Sequence, residues 1–558
     1  MLKQMLLSIL LSLGLVPAYA KEPTSFESFL NAFVPEVSSK SKQLNQAYWI
    51  LATTGSADAA DLVGTLSTEL SMLFNNPKTY KLLLKWEKQG SVTDPILKRQ
   101  LQLLIYSFKE KAIPENLLKE IAQKEAALSY AHGNFRANLQ GKTVSENDIL
   151  EVLKKETNPS VRKEAWEASK EVGQFLAPQI LELVKLRNKA AKSLGYENYF
   201  QMQLDLQEVN EKALFDLLDQ VASRSDESYQ NTLITIEEVQ CKQFSVPGEE
   251  LGPWAWSEPF GQEDPLDRAE LDSLVAHTDL VEATRQFYQK MGFQIEPILQ
   301  KSDLWEKPGK NQHAFCINVD RDTDIRTLEN LKPTLKWLET ILHEFGHAIY
   351  EQGFDEKLPW LLKQPPHMIT TEAMALMAGR RAYLISSLSK LPSYTSSQDT
   401  LIKKAQESLS RRQLIFSRWV LVMTYFEREL YRNPDQDLNT LWWSLVSKYQ
   451  KIRTPKNRDS KCDWAAKYHI GLAPVYYYSY LLGELFASCM EESLQEVTGS
   501  NSLETTEAGR FLREKLFSPG NRMNWSQLIE HVIGKPLSSD AWIREFATKQ
   551  SSLPEMGK

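Results

Sequence analysis

Along most of this chain, apolar residues recur every three or four positions with charged residues between them. That is the pattern of helices that bury one stripe and expose the rest. Segments 93–110, 114–130, 145–155 and 160–194 follow it, and Asn158-Pro159-Ser160 supplies a break before the last of them. Gly and Pro thicken between 246 and 309, as in Pro247-Gly248, Gly252-Pro253 and Pro308-Gly309, which marks a loop-rich stretch. Helical periodicity returns from Leu328 to the C-terminus. One segment, 312–319, reads as a strand: a short apolar run bounded by polar residues. There is no repeat of fixed period and no low-complexity tract. The predicted class is mainly α, with a small β element.

The N-terminus departs from this pattern. Met1-Leu2-Lys3-Gln4 precedes an apolar run over 5–16, and Pro17-Ala18-Tyr19-Ala20 ends it with small residues where signal peptidases read. The spacing predicts a signal peptide cleaved after Ala20, hence an exported protein, periplasmic or secreted. The run is too short for a comfortable membrane span, and no other segment reaches about 18 consecutive apolar residues, so the mature chain is expected to be soluble. The formal charge of −7 gives no reason to expect a nucleic-acid partner. Cys241, Cys316, Cys462 and Cys489 show no close metal spacing, and their pairing cannot be read from the sequence. Asn524-Trp525-Ser526 is a glycosylation sequon, relevant only in a host that glycosylates.

The chain has only 8 histidines, and two of them lie in His343-Glu344-Phe345-Gly346-His347. Leu335, Leu338, Leu342, Phe345 and Ile349 recur at helical spacing around that motif; Pro333 suits a first turn and Gly353 a stop. Histidines four apart on a helix share a face, so one Zn²⁺ per chain can take both, with Glu344 beside it as a base. A catalytic zinc needs a third protein ligand. Glu372 is the candidate: it opens a second periodic segment after the Pro365-Pro366 loop, with Thr370 or Thr371 as the expected cap. The alternative with a third histidine six residues after the second is absent, because Gly353 stands there. His367 is expected in the loop, outside the ligand set.

Two flanking stretches carry further candidates. His313 and Ala314 lead into the predicted strand, whose edge can pair with an extended peptide. His313 is then either a donor to a substrate carbonyl or simply a polar residue at a strand end. Downstream, Lys467 and His469 precede the tyrosine run 476–480, in which Tyr477 and Tyr480 share a helical face. His469 and one tyrosine hydroxyl can donate to an oxyanion, and a nearby lysine suits a terminal carboxylate.

On these pieces the chain resembles peptidyl-dipeptidase A, the angiotensin-converting enzyme family, and its cousins in the thimet oligopeptidase and oligoendopeptidase F group. The pieces are His313-Ala314, the motif at 343–347, Thr371-Glu372-Ala373 and Ala466-Lys467-Tyr468-His469-Ile470. Ala190-Ala191-Lys192-Ser193-Leu194-Gly195-Tyr196 and Leu251-Gly252-Pro253-Trp254-Ala255 are similar to two upstream stretches of the family. The resemblance implies a gluzincin-type helical ellipsoid with a deep central channel, formed by a single peptidase domain over 21–558 with two helical halves flanking the cleft. It implies His343, His347 and Glu372 as zinc ligands and Glu344 as general base and later acid. It also implies His313 and His469 as donors to substrate carbonyls, Lys467 on a C-terminal carboxylate, and a Tyr-x-x-Tyr pair read as Tyr477 and Tyr480. Tyr480 would stabilise the oxyanion, with Tyr476 and Tyr478 as competing registers.

The chain departs from the converting enzymes at three points. Trp256 stands where they carry a carboxylate-binding Gln, Ser479 where an Arg helps hold chloride, and Leu376 where an acid follows the third ligand. Chloride dependence and strict dipeptide release therefore do not carry over. The expected function is an exported zinc peptidase acting on short peptides, of peptidyl-dipeptidase type. An oligoendopeptidase is the alternative within that class, and a catalytically dead zincin-fold binding protein the alternative outside it.

Overall fold

The computed structural model describes residues 23–548 apart from 267–268, 390, 392–393 and 500–502. The predicted signal peptide lies outside the described residues. The chain folds into two compact units, one formed by residues up to 112 with 308–311 and 359–362, the other by the remainder.

The first unit is built on the helices Phe26–Thr54, Ala57–Phe74, Pro77–Gln89 and Pro95–Lys111. Each begins on a side-chain cap, and Asn76 and Asp94 are each followed by a proline at the first helical position. Phe26, Phe29, Phe33, Leu83, Trp86 and Phe108 form its core.

The second unit is again mainly helical, as the periodicity predicts. The segment expected over 160–194 is the helix Pro159–Ser193, capped by Asn158. The expected strand over 312–319 narrows to β3, Phe315–Asn318. β3 pairs antiparallel with β4, Ile325–Leu328, with Phe315 opposite Leu328 and Asn318 opposite Ile325. A second hairpin joins β1, Ala137–Leu139, to β2, Lys142–Val144. Neither β4 nor this hairpin stands out in the sequence: three- and four-residue strands are too short to display alternation.

Four helices position the functional residues. The metal helix, Leu335–Gln352, starts two residues after Pro333, which lies outside it, because the Thr334 side chain caps it by accepting the Trp337 N–H. The ligand helix, Met368–Gly379, is capped by neither Thr370 nor Thr371. Its cap is His367, whose Nδ1 accepts the Ile369 N–H at 3.1 Å. His367 thus ends the loop, as expected, and stays outside the metal group, but it is a buried cap: an imidazole nitrogen does here what a hydroxyl oxygen usually does. The spine helix, Asp399–Arg432, is buried along most of its second half, and the tyrosine helix is Tyr478–Thr498.

The helices meet at two glycines. A Cβ on Gly346 would lie 2.7 Å from Ala375 Cα in the ligand helix, and one on Gly483 would lie 3.1 Å from Glu372 Cβ. The glycine between Glu344 and His347 thus admits the ligand helix to contact distance. Gly346→Ala should destabilise the protein by about 1–3 kcal/mol, the usual cost of overpacking, and weaken zinc retention. Chemical denaturation and a zinc-release assay would check both, and wild-type values in each would refute this account.

Candidate active site

His343 and His347 lie one turn apart on the metal helix, with their Nε2 atoms 3.2 Å from each other. Glu372 Oε2 is 3.7 Å from the first and 4.0 Å from the second. This is the group of His, Cys, Asp and Glu among the described residues whose atoms converge closely enough to hold one ion. Donors around a tetrahedral zinc at about 2.1 Å lie about 3.4 Å from one another, so the three atoms fit three vertices of that tetrahedron.

The electrostatics agree with a cation at the centre. Burial lowers the pKa of His343 to about 4 and that of His347 well below the usual value, so both imidazoles are neutral lone-pair donors near pH 7. His347 Nδ1 lies 2.7 Å from Thr371 Oγ1. With Nδ1–H donated to that oxygen, Nε2 is left bare toward Glu372. Burial, and then the charge of Glu372, raise Glu344 to about 8. Burial, and then the charge of Glu484, raise Glu372 to about 7. Among the described residues no lysine or arginine pairs with either carboxylate. Two buried acids and two neutral imidazoles form a donor set that a dication completes.

Around this group the structure arranges the other candidates unevenly. The Cys316 N–H of β3 donates to Glu344, so the edge of β3 that does not pair with β4 faces the metal helix. Ala314, half-buried, continues this edge, and His313 is exposed at its start. Tyr476 donates to Glu372, and its ring lies 5.2 Å from that of Tyr480. The Tyr477 ring lies 5.4 Å from Tyr480 and 4.7 Å from His469. Tyr478 points elsewhere: its hydroxyl donates to Gln207 Oε1 at 2.6 Å. Burial, reinforced by Lys467, lowers His469 to about 4. The Lys467 ammonium is 3.1 Å from Gln262 Oε1 and lies over the rings of Phe260, Trp419 and Tyr477. Burial lowers its pKa, and the charge of Glu258 opposes the shift.

Thr371, Gln262 and the Tyr476 contact are not evident from the sequence. Thr371 meets the His347 ring, one residue before the third metal donor. Gln262 sits 205 residues from Lys467, and no spacing signals that pair. Trp256, at the position of the family's carboxylate-binding Gln, is buried, with its carbonyl accepting from Arg162 at 2.9 Å.

Residues 301–548, which contain the whole metal group, match the family described as Peptidase family M3. Residues 20–231 match the family described as Angiotensin-converting enzyme. These matches support a metallopeptidase related to both families. Among individual proteins, the chain is 23% identical to angiotensin-converting enzyme-like protein Ace3 of Mus musculus, over 72% of this chain and 59% of that one. It is 24% identical to angiotensin-converting enzyme of Oryctolagus cuniculus, over 69% of this chain and 32% of that one. The corresponding figures for the Sus scrofa enzyme are 23%, 94% and 43%. The matched stretch thus spans between about a third and three fifths of these relatives' lengths.

The pKa directions set a pH dependence for metal uptake. Below about 7 a proton on Glu372 must leave before a cation binds, whereas His343 is already neutral above about 4 and His347 is held well below the usual imidazole range by burial. Zinc affinity of the metal-free protein should therefore rise with pH up to about 7, with proton release on binding, and flatten above it. Titration calorimetry in buffers of different ionisation enthalpy would measure this, and a pH-independent affinity between 5 and 7 would contradict it.

Proposed function

We propose that this protein is an exported zinc peptidase that hydrolyses short peptides, with a preference for substrates bearing a free C-terminal carboxylate. The observation that carries the reading is the juxtaposition of Glu344 with the His343–His347–Glu372 group beside the edge of β3. When bound there, zinc supplies Lewis acidity, polarising a carbonyl and lowering the pKa of water to about 7.

The chain's own residues supply the rest. An extended substrate pairs with the outer edge of β3 near Ala314, and His313 at the start of that edge donates to a substrate carbonyl. Glu344 takes a proton from the attacking water as the C–O bond forms, then delivers it to the amide nitrogen as the C–N bond breaks. Tyr480 and His469 donate to the carbonyl oxygen as it gains charge, with Tyr477 packed between them. Lys467, with Gln262 beside it, holds the terminal carboxylate.

Peptidyl-dipeptidase action follows from that last pair. Oligoendopeptidase action is the second reading, favoured by the M3 match over residues 301–548, which carry the metal group. Export rests on residues 1–20, which are read from sequence alone. Among the described residues no helix is long and apolar enough to cross a membrane. We take residues 21–558 as one peptidase domain.

Glu344→Gln should keep zinc and lose turnover by a factor on the order of 10²–10⁴. Zinc analysis and a peptide time course would show this, and retained wild-type kcat would refute the role. Lys467→Met should raise KM for free-acid peptides by a factor on the order of ten to a hundred, the loss of one charge-assisted contact. The same peptides blocked as C-terminal amides should be hydrolysed slowly by both proteins. Equal rates on acids and amides by the wild type would replace the peptidyl-dipeptidase reading with the endopeptidase one. Stoichiometric zinc without hydrolysis of any peptide would leave a binding protein.

A further inference from the structure

The turn that leads into the tyrosine helix is strained. Val475 has φ +56°, a left-handed conformation that is a genuine outlier for a β-branched residue. It is 1% exposed, so water does not relieve it. Its N–H donates to Glu427 Oε1 at 2.9 Å, and Glu427, on the spine helix, is also 1% exposed. Three residues later, the Tyr478 hydroxyl is held by Gln207 Oε1 and lies 3.2 Å from His367 Nε2. The turn is thus fastened by its backbone at Val475 and by a side chain at Tyr478. Tyr476 and Tyr477 lie between these two points, and Tyr480 lies one turn of helix beyond Tyr476.

A strained φ persists only where the surroundings over-determine it. Were Val475 to relax to right-handed φ, that torsion would rotate by about 120° and the direction of every residue after it would change. The acceptor for the Val475 N–H lies 48 residues away in sequence.

We propose that Glu427 is a positioning residue. By accepting the Val475 N–H it locks the strained turn that seats Tyr477 against His469 and aims Tyr480 at the reacting carbonyl. The aim of Tyr480 rests on the peptidase reading above; the lock itself does not.

Four variants of the zinc-loaded, full-length protein test it: Glu427→Ala, Glu427→Gln, Val475→Gly and the double variant Glu427→Ala/Val475→Gly. Removing the acceptor should lower kcat by a factor on the order of ten to a hundred, the scale of a misaimed group, with a smaller change in KM and unchanged zinc content. Glu427→Gln keeps an acceptor oxygen and should stay within about threefold of wild type. Glycine adopts positive φ without strain, so Val475→Gly added to Glu427→Ala should restore most of the lost kcat. A merely structural role for Glu427 predicts no such recovery.

Hydrogen exchange at the Val475 amide gives a readout independent of activity. Exchange should be slow in the wild type and in Glu427→Gln, and at least tenfold faster in Glu427→Ala, about 1.4 kcal/mol of lost protection. Wild-type kcat in Glu427→Ala, a Gln variant as impaired as Ala, or no recovery with glycine would each overturn the proposal. If Glu427→Ala does not fold, lost protection at the Val475 amide in Glu427→Gln overturns it. If the wild type hydrolyses no peptide, the peptidase reading fails, and amide exchange alone decides whether the lock exists.

Discussion

Everything at the centre of this protein depends on three helices approaching until backbone meets backbone. Gly346 in the metal helix lies against Ala375 in the ligand helix, and Gly483 in the tyrosine helix lies against Glu372. A side chain at either place would separate the helices by a few tenths of an ångström or more. The distances that make three donor atoms into one site, 3.2 to 4.0 Å, would then be lost. Two imidazoles one turn apart are a common helical accident; a carboxylate delivered to them by a second helix is not.

That approach brings an electrostatic cost, and the surrounding polar network answers it. Glu372 is buried next to Glu484, another buried carboxylate. Glu484 is held by Arg380, whose Nε lies 3.1 Å away, and by Gln413 at 2.8 Å. Arg380 in turn is shared with Ser488 and Glu545. Glu484 is thus compensated locally, whereas Glu372 and Glu344 are not. The uncompensated pair is where a dication belongs, because an unpaired buried charge is far more costly than a paired one. Thr371 and His367 complete the arrangement from the same helix, one orienting a histidine ligand and the other capping the turn that carries Glu372.

The site was unevenly legible before the structure. His343, Glu344 and His347 are fixed relative to one another by helical geometry, so a five-residue motif is enough to find them. Glu372 is reachable because it opens the next periodic segment. The tyrosine cluster is different. Four tyrosines in five residues offer several registers, and what separates them is a left-handed valine and two distant acceptors, Glu427 and Gln207. The cap of the ligand helix was misread for a related reason. Thr370 and Thr371 have the right chemistry, but the imidazole of His367 reaches the free amide first.

Local sequence alone determined the helical class, the motif face and the pairing of His343 with His347, because periodicity and i, i+4 spacing act within a single helix. Tertiary structure alone decided which glutamine meets Lys467, which tyrosines face Glu372 and which carboxylates stay uncompensated. Those contacts join residues tens to hundreds of positions apart. Their geometry is set by helix packing and a strained turn, and neither leaves a periodic trace in the chain.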